Sequence, residues 1–315
     1  MAELPLLFEI YRLNIVDEEN FMFDFMGVNI RTDDQILQVI RGITNPDLSV
    51  ITQSGRTTLQ WNAREFFLVS SDHGPICSIT LGRSTVEQNG KTATADGFEE
   101  ATTTLSPPPA ETFHIFFYMR RHLVVVEYRS ELMRNQLWRS SLHNMLDEAA
   151  AESGFTSHIR LEPVPEENKI LQAFRSFDKL TRLRVKLRIP NPELDRRTER
   201  LRQEMVANGI REYTQDMKNP SGLSLSEEGL PFATAAMAQA GYKDGEVTMT
   251  GFRNGQRRTV RTGSKAMRGR IEGFRDFVRG MSANARTVEG KNILARITEE
   301  VDKLAELPTP PGHEQ

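Results

Sequence analysis

The sequence predicts an α+β protein in which mixed or antiparallel sheets carry flanking helices, arranged as two lobes. Three observations support this. The first third is filled by runs rich in β-branched and aromatic residues, LLFEIYRLNIV, TTLQWNAREFFLVSS and PICSITLGRSTV, with partial period-two alternation. Beyond residue 130, helical and strand patterns alternate. Asn254-Gly255, between GEVTMTGFR and QRRTVRTG, is the favoured two-residue chemistry of a β-hairpin turn.

Taken in order, the early strands are interrupted by a short helix at DDQILQVIRGI, for which Asp33 or Asp34 is the expected cap. Residues 84–111 supply Ser, Thr, Gly, Asn and Pro107 to Pro109 with little to bury, and read as a long polar loop. FHIFFYM and HLVVVEYR follow as a central hairpin. The stripe Trp138, Leu142, Met145 and Ala149 predicts a helix over 132–152 that ends at Gly154. Strand SHIRLEPV, helix ENKILQAF, strand TRLRVKLRIP, helix PELDRRTERLRQEMVA and strand IREYTQ come next. The linker NPSGLSLSEEG, a helix to Gly241 and the Asn-Gly hairpin complete the unit. Pairing outward from the turn opposes Phe252 to Arg257, Thr250 to Thr259 and Thr248 to Arg261. Apolar stripes at Ile271, Phe274, Val278 and at Leu294, Ile297, Val301, Leu304 predict helices over about 267–281 and 285–305.

Domain boundaries follow composition: an acidic, strand-rich lobe over 1–165, a basic α/β lobe over 166–307, and a disordered tail over 308–315. The formal net charge of -3 hides the asymmetry. Up to Tyr118 there are 7 Lys+Arg against 16 Asp+Glu, and the remainder carries 33 against 27. From Arg253 to Arg286 the ratio is ten to two. The two parts face different partners or each other.

Several function classes are excluded or disfavoured. No aliphatic run is long enough to cross a bilayer, and MAELPLLFEIYR carries Glu3 where a secretory signal would be basic, so a cytoplasmic location is expected. The lone Cys77 rules out an internal disulfide and is expected to be a small core residue. Phosphate-cradling glycine motifs are missing, and the histidines at 73, 114, 122, 143, 158 and 313 never fall at metal-ligand spacing. His114 and His122 sit in strand patterns, where a hydrogen-bonded, partly buried role is expected. Neither catalytic residues, nor a cofactor, nor a metal site is expected. Two carboxylate groups are weighed as nuclease candidates, because Mg²⁺-dependent phosphodiester chemistry needs acidic oxygens. One is Glu162, Glu167 and Lys169; the other is Asp17 to Glu19 within DEEN. Pro163 and Pro165 break the strand that would carry the first, and Glu166 and Glu167 suit the first turn of the following helix.

The strand TRLRVKLRIP carries the functional question. Leu183, Val185, Leu187 and Ile189 share one face, and Arg182, Arg184, Lys186 and Arg188 share the other. Such a face needs a counter-charge. Within the fold, Glu193, Asp195, Glu199, Glu204 or the acidic N-terminal third can supply it, and cations on an outer strand also discourage edge aggregation. The alternative is an external polyanion. Arg257, Arg258 and Arg261 on the hairpin, with Lys265, Arg268 and Arg270 beyond it, repeat the theme. Duplex nucleic acid suits this better than a single strand, since Phe252 alone among these segments offers a stacking surface. Binding would be dominated by phosphates and weakly sequence-selective, with a salt slope near -5 for about six contacts.

The order of LRVKLRIPNPE, an amphipathic helix, a short strand, GLSLSEEG, a helix and a hairpin resembles the C-terminal half of phage-exclusion proteins of the lambda RexA type and related abortive-infection proteins. The likeness covers about residues 177–270. It implies a cytoplasmic homodimer that binds double-stranded DNA without strong sequence preference. Such a protein acts as a non-enzymatic sensor in antiviral defence beside a separately encoded membrane channel. The role would fall on Arg182, Arg184, Lys186 and Arg188, and on the hairpin cations. A metal-dependent nuclease of a defence system, or a module whose basic lobe docks on an acidic protein, are the alternatives.

Overall fold

The computed structural model describes residues 7–17, 28–71, 74–133, 135–165, 169–188 and 203–270 apart from 206, 209 and 211, with isolated positions between 292 and 299. It is an α+β structure with antiparallel sheets. Among the described residues no helix is long and apolar enough to cross a membrane.

The chain divides into two compact units, and the division is not a single cut after residue 165. Residues 1–16 and 120–125 partition with 160–315, while 17–119 and 126–159 form the other unit. The reason is strand pairing. Strand β1 (Leu7–Asp17) pairs antiparallel with a strand at Met267–Arg270, with Glu9 opposite Arg268, so the N-terminus belongs with distant residues that local composition does not reveal.

In the second unit, helix α1 (Asp33–Gly42) is capped by Thr32, not by Asp33 or Asp34. Thr32 Oγ1 accepts from Gln35 N, and Gln35 Oε1 accepts from Thr32 N, a reciprocal box; Asp33 and Asp34 stand in the first turn, where their charge complements the helix dipole. Strands β2 (Val50–Ser54), β3 (Thr57–Ser71) and β4 (Gly74–Thr94) form consecutive antiparallel pairs. The expected loop over 84–111 is a correction: β4 continues through it to Thr94, β5 (Gly97–Thr104) folds back on β4, and β6 (Ala110–Tyr118) extends the same edge. Threonine-rich sequence read as loop is equally good strand, and the two-residue turn Ala95-Asp96 joins Thr94 to its partner Gly97. A 3-10 turn at Met119–Arg121 leads to β7 (Leu123–Glu127). The helix expected over 132–152 is split into α2 (Ser130–Met133) and α3 (Leu137–Glu152), with Gln136 left-handed at the start of the second.

The first unit continues with β8 (Ser157–Pro163), α4 (Lys169–Arg175) and β9 (Lys179–Arg188). Next come β10 (Glu212–Lys218), α5 (Leu230–Gln239), β11 (Lys243–Arg253), β12 (Gln256–Thr262) and β13 (Met267–Arg270). Because 267–270 is strand, a helix beginning at 267 is excluded; the remainder of that segment, the helix over 192–202 and most of 285–305 lie outside the described residues. Strands β10, β9, β11 and β12 form a four-stranded antiparallel sheet in that order. One face is buried: Leu183, Val185, Leu187, Val247 and Met249 pack with Ile170 and Phe174 of α4 and Phe232 and Ala235 of α5. Phe174 and Phe232 meet edge to face at 5.9 Å. With two helices on that side, period two leaves the cationic residues of β9 on the other.

Candidate polyanion-binding face

The hairpin register expected from Asn254-Gly255 is the one observed: Phe252 opposes Arg257, Thr250 opposes Thr259 and Thr248 opposes Arg261. Extending across the sheet gives rows of side chains on one face. Lys218, Arg182, Thr250 and Thr259 form one row, and Asp216, Arg184, Thr248 and Arg261 the next. Lys186 then lies between Thr214 and Asp244, and Arg188 opposite Glu212.

This arrangement corrects the reading of the basic strand. Arg188 is 7% exposed and sits 3.0 Å from both Glu212 and Asp244. Lys186 lies 2.6 Å from Glu212 and 3.2 Å from Asp244. The hydrogen bond to Glu212 chiefly raises the Lys186 pKa, against a desolvation cost and with help from Asp244. Arg182 holds Asp216 through Nε at 2.8 Å and Nη2 at 2.7 Å. That fork drives the Asp216 carboxyl well below the usual range, with Lys218 at 3.2 Å adding to it. Neutralisation within the fold therefore does occur, but from the flanking strands β10 and β11. Glu193, Asp195 and Glu199 lie outside the described residues.

The balance is incomplete. Arg184 is exposed, and among the described residues no carboxylate pairs with it. Arg257, Arg258 and Arg261 are exposed on β12, and Arg258 donates to Gln256 two residues back on the same strand. The Arg182 end of the sheet forms a groove of about 900 Å³, lined by Arg182, Lys218, Arg257, Arg261, Thr250 and Phe252 among others. Thr181, Thr248 and Thr259 add hydroxyls to its wall. Cations and hydroxyl donors on an open concave surface are the chemistry that grips phosphate oxygens. The acid-balanced end, at Lys186 and Arg188, is not.

The cations beyond the hairpin are dispersed. Lys265 is exposed between β12 and β13, and Arg268 is held by Glu9 across the β1–β13 pair at 3.0 Å. Arg270 closes β13 opposite Leu7. Neither Arg268 nor Arg270 belongs to the four-stranded sheet.

Of the nuclease candidates only Asp17, Glu162 and Lys169 fall among the described residues. Asp17 is occupied by Ser157 Oγ at 2.7 Å and Arg31 at 3.3 Å, and residues 18–20 and Glu167 lie outside the described residues. Glu162 stands on β8 and Lys169 opens α4. Among the described residues no group of three or more His, Cys, Asp or Glu is placed to hold a metal.

A second polar cluster went unnoticed in the sequence. Glu127 is 1% exposed, and its carboxylate accepts from His114 N at 3.1 Å and Arg129 Nε at 2.8 Å, with His114 Nδ1 at 3.0 Å. Burial pushes the Glu127 pKa up, but His114 and Arg129 together bring it below the ordinary value. His114 is thus hydrogen-bonded and partly buried, as expected of a strand histidine. Cys77 is buried beside Met119, and burial pushes its thiol pKa up, so it is a core residue.

An α+β structure with a helix-backed antiparallel sheet and a cationic open face defines the class. The chain belongs to the DUF4747 family, a domain of unknown function whose model matches residues 86–275. That span includes the whole four-stranded sheet and the β4–β5 turn. No curated protein matches the chain.

Proposed function

We propose that the Arg182 end of the four-stranded sheet binds the backbone of double-stranded DNA with little sequence preference. The protein would then be a non-enzymatic sensor in phage exclusion, as the RexA-type likeness over residues 177–270 implies. The observation that carries this reading is the surplus of charge around the groove, where Arg184, Arg257 and Arg261 join Lys218 and Arg182 beside threonine hydroxyls. Arg188 and Lys186 are removed from the contact set by their carboxylate partners. Lys265, Arg268 and Arg270 are peripheral to it. With about four phosphates engaged in place of six, the slope of log affinity against log salt becomes about -3.6, from roughly 0.9 per contact. Two lobes, a cytoplasmic homodimer and a separately encoded membrane channel belong to the same proposal.

The test is an electrophoretic shift titrated against salt, for the wild type and for Arg184→Glu with Arg257→Glu and Arg261→Glu. The expected result is weaker binding to every duplex sequence alike and a shallower slope. Equal affinity of the two proteins at about 100 mM salt, where screening still permits such contacts, overturns the reading. Degradation of plasmid by pure protein with Mg²⁺ would replace it with the nuclease alternative.

A further inference from the structure

Among the described residues, strands β5 and β12 are both sheet edges: β5 pairs only with β4, and β12 only with β11. Both are exposed along nearly their whole length. The β4–β5 ribbon is also unsupported. The last partner of β3 on β4 is Gln88, opposite Thr57, and Asn89 N still donates to Arg56 O at 2.8 Å, so among the described residues Gly90–Thr94 is paired by β5 alone. Five residues at a rise of about 3.4 Å project roughly 17 Å beyond the sheet. A two-stranded ribbon with both faces in water is marginal by itself, and an exposed edge is a template for another strand. At its end Phe98 is 74% exposed.

The two edges carry opposite charge in matching positions. β5 reads GFEEATTT and β12 reads QRRTVRT. Successive residues of a strand point to opposite faces, so Glu99 and Glu100 charge both faces of one edge, and Arg257 and Arg258 both faces of the other. Antiparallel alignment of Glu100 with Arg257 sets Glu99 opposite Arg258 and, in the same register, Asp96 of the turn opposite Arg261. A parallel alignment starting from Glu99 and Arg257 matches only two such pairs. The antiparallel register also sets Phe98 opposite Thr259, on the face that bears Arg257, Arg261 and Phe252. The present partners are easily exchanged: Lys91 stands 3.8 Å from Glu100 with both side chains more than half exposed.

We propose that β5 of one copy adds antiparallel to the β12 edge of a second copy of this chain, with Asp96, Glu99 and Glu100 against Arg261, Arg258 and Arg257. The backbone ladder supplies strength, and the charge pairs on both faces fix register. The pairing stands apart from the nucleic-acid reading; only one consequence rests on that reading, that strand addition and DNA compete for Arg257 and Arg261.

Sedimentation velocity of the full chain tests it, on wild type, on Glu99→Lys with Glu100→Lys, on Arg257→Glu with Arg258→Glu, and on an equimolar mixture of the two variants. The wild type should self-associate in the micromolar range. Each variant alone should associate at least about tenfold more weakly, as like charges directly opposed are destabilising. The mixture should recover association, because each arm then meets an edge of opposite charge; recovery also shows that both variants are folded. A wild type that stays monomeric at the highest soluble concentration overturns the proposal, as do variants that associate as well as the wild type or a mixture that fails to recover. DNA binding is read separately, so loss of one property leaves the other standing.

Discussion

Asp216 is held by the Arg182 guanidinium through two hydrogen bonds, at 2.8 and 2.7 Å, on strands that pair directly. The Arg182 and Asp216 side chains remain 38% and 28% exposed. An exposed ion pair contributes little to stability, so its partners are open to exchange. Asp216 thus acts as a stand-in anion at the cationic end of the groove. Asp216→Asn should leave the urea midpoint nearly unchanged while tightening duplex binding, with a salt slope steeper by about 0.9 for one added phosphate contact. A titration in which affinity is unchanged or falls would separate Arg182 from the binding surface.

Arg188 stands at the other extreme. Its side chain is 8% exposed and bridges Glu212 and Asp244. Removing it leaves Glu212 and Asp244 with Lys186 as their remaining cation among the described residues, at a cost of about 1–3 kcal/mol for the lost buried hydrogen bonds. Arg188→Met should lower unfolding free energy by that order in urea denaturation, with no change in salt slope for the protein that remains folded. A stable variant with weakened DNA binding would return Arg188 to the contact set.

The contrast between these two arginines marks what the sequence could reveal. Alternation along β9 and the Asn254-Gly255 turn are local signals, and they gave the cationic face and the β11–β12 register residue by residue. The counter-charges are not local. Glu212 and Asp216 meet β9 only because β10 is its neighbour, and Asp244 only because β11 flanks the other side. Alternation of Glu212, Thr214, Asp216 and Lys218 was available as a hint, but strand order was not. The β4–β5 ribbon was missed for another reason. Its composition is polar on both faces, so the burial signal that distinguishes strand from loop is missing, and only Asp96-Gly97 pointed to a turn. The capping box at Thr32 and Gln35 was legible as T-x-x-Q and was overlooked in favour of the aspartates.

Glu127 provides the pH-dependent test. Its folded pKa lies below the unfolded value of about 4.3, because the His114 and Arg129 hydrogen bonds outweigh burial. A carboxylate shifted in this direction adds stability above the unfolded pKa and loses it as pH falls through the folded one. Glu127→Gln should therefore be less stable than wild type at pH 7. The gap should shrink as the pH falls below the unfolded pKa, where the unfolded carboxylate takes up its proton before the folded one, and should close once the pH has passed the lower folded value. Guanidinium unfolding at several pH values measures this, and a gap that stays constant with pH would contradict the assignment.

The groove depends on one glycine that carries no charge. Gly251 on β11 lies opposite Leu180 of β9, next to a register irregularity between the pairs Thr250–Arg182 and Gly251–Leu180. A Cβ at this position would lie 2.2 Å from the Lys179 carbonyl oxygen and 2.9 Å from both Leu180 Cα and Phe177 Cδ1. Backbone cannot yield as a flexible side chain would, so the two strands must separate. Overpacking of this kind costs roughly 1–3 kcal/mol or more. The same separation would move Thr250 and Phe252 relative to Arg182, since these residues flank Gly251. Gly251→Ala should lower stability by at least about 2 kcal/mol, and the folded fraction should bind duplex DNA more weakly than wild type. The adjacent turn offers a control. Gly255 has open space around its Cβ position but a φ of 72°, so Gly255→Ala should cost only about 1 kcal/mol of backbone strain. Equal losses at the two positions would show that the close approach at Gly251 does not hold the sheet.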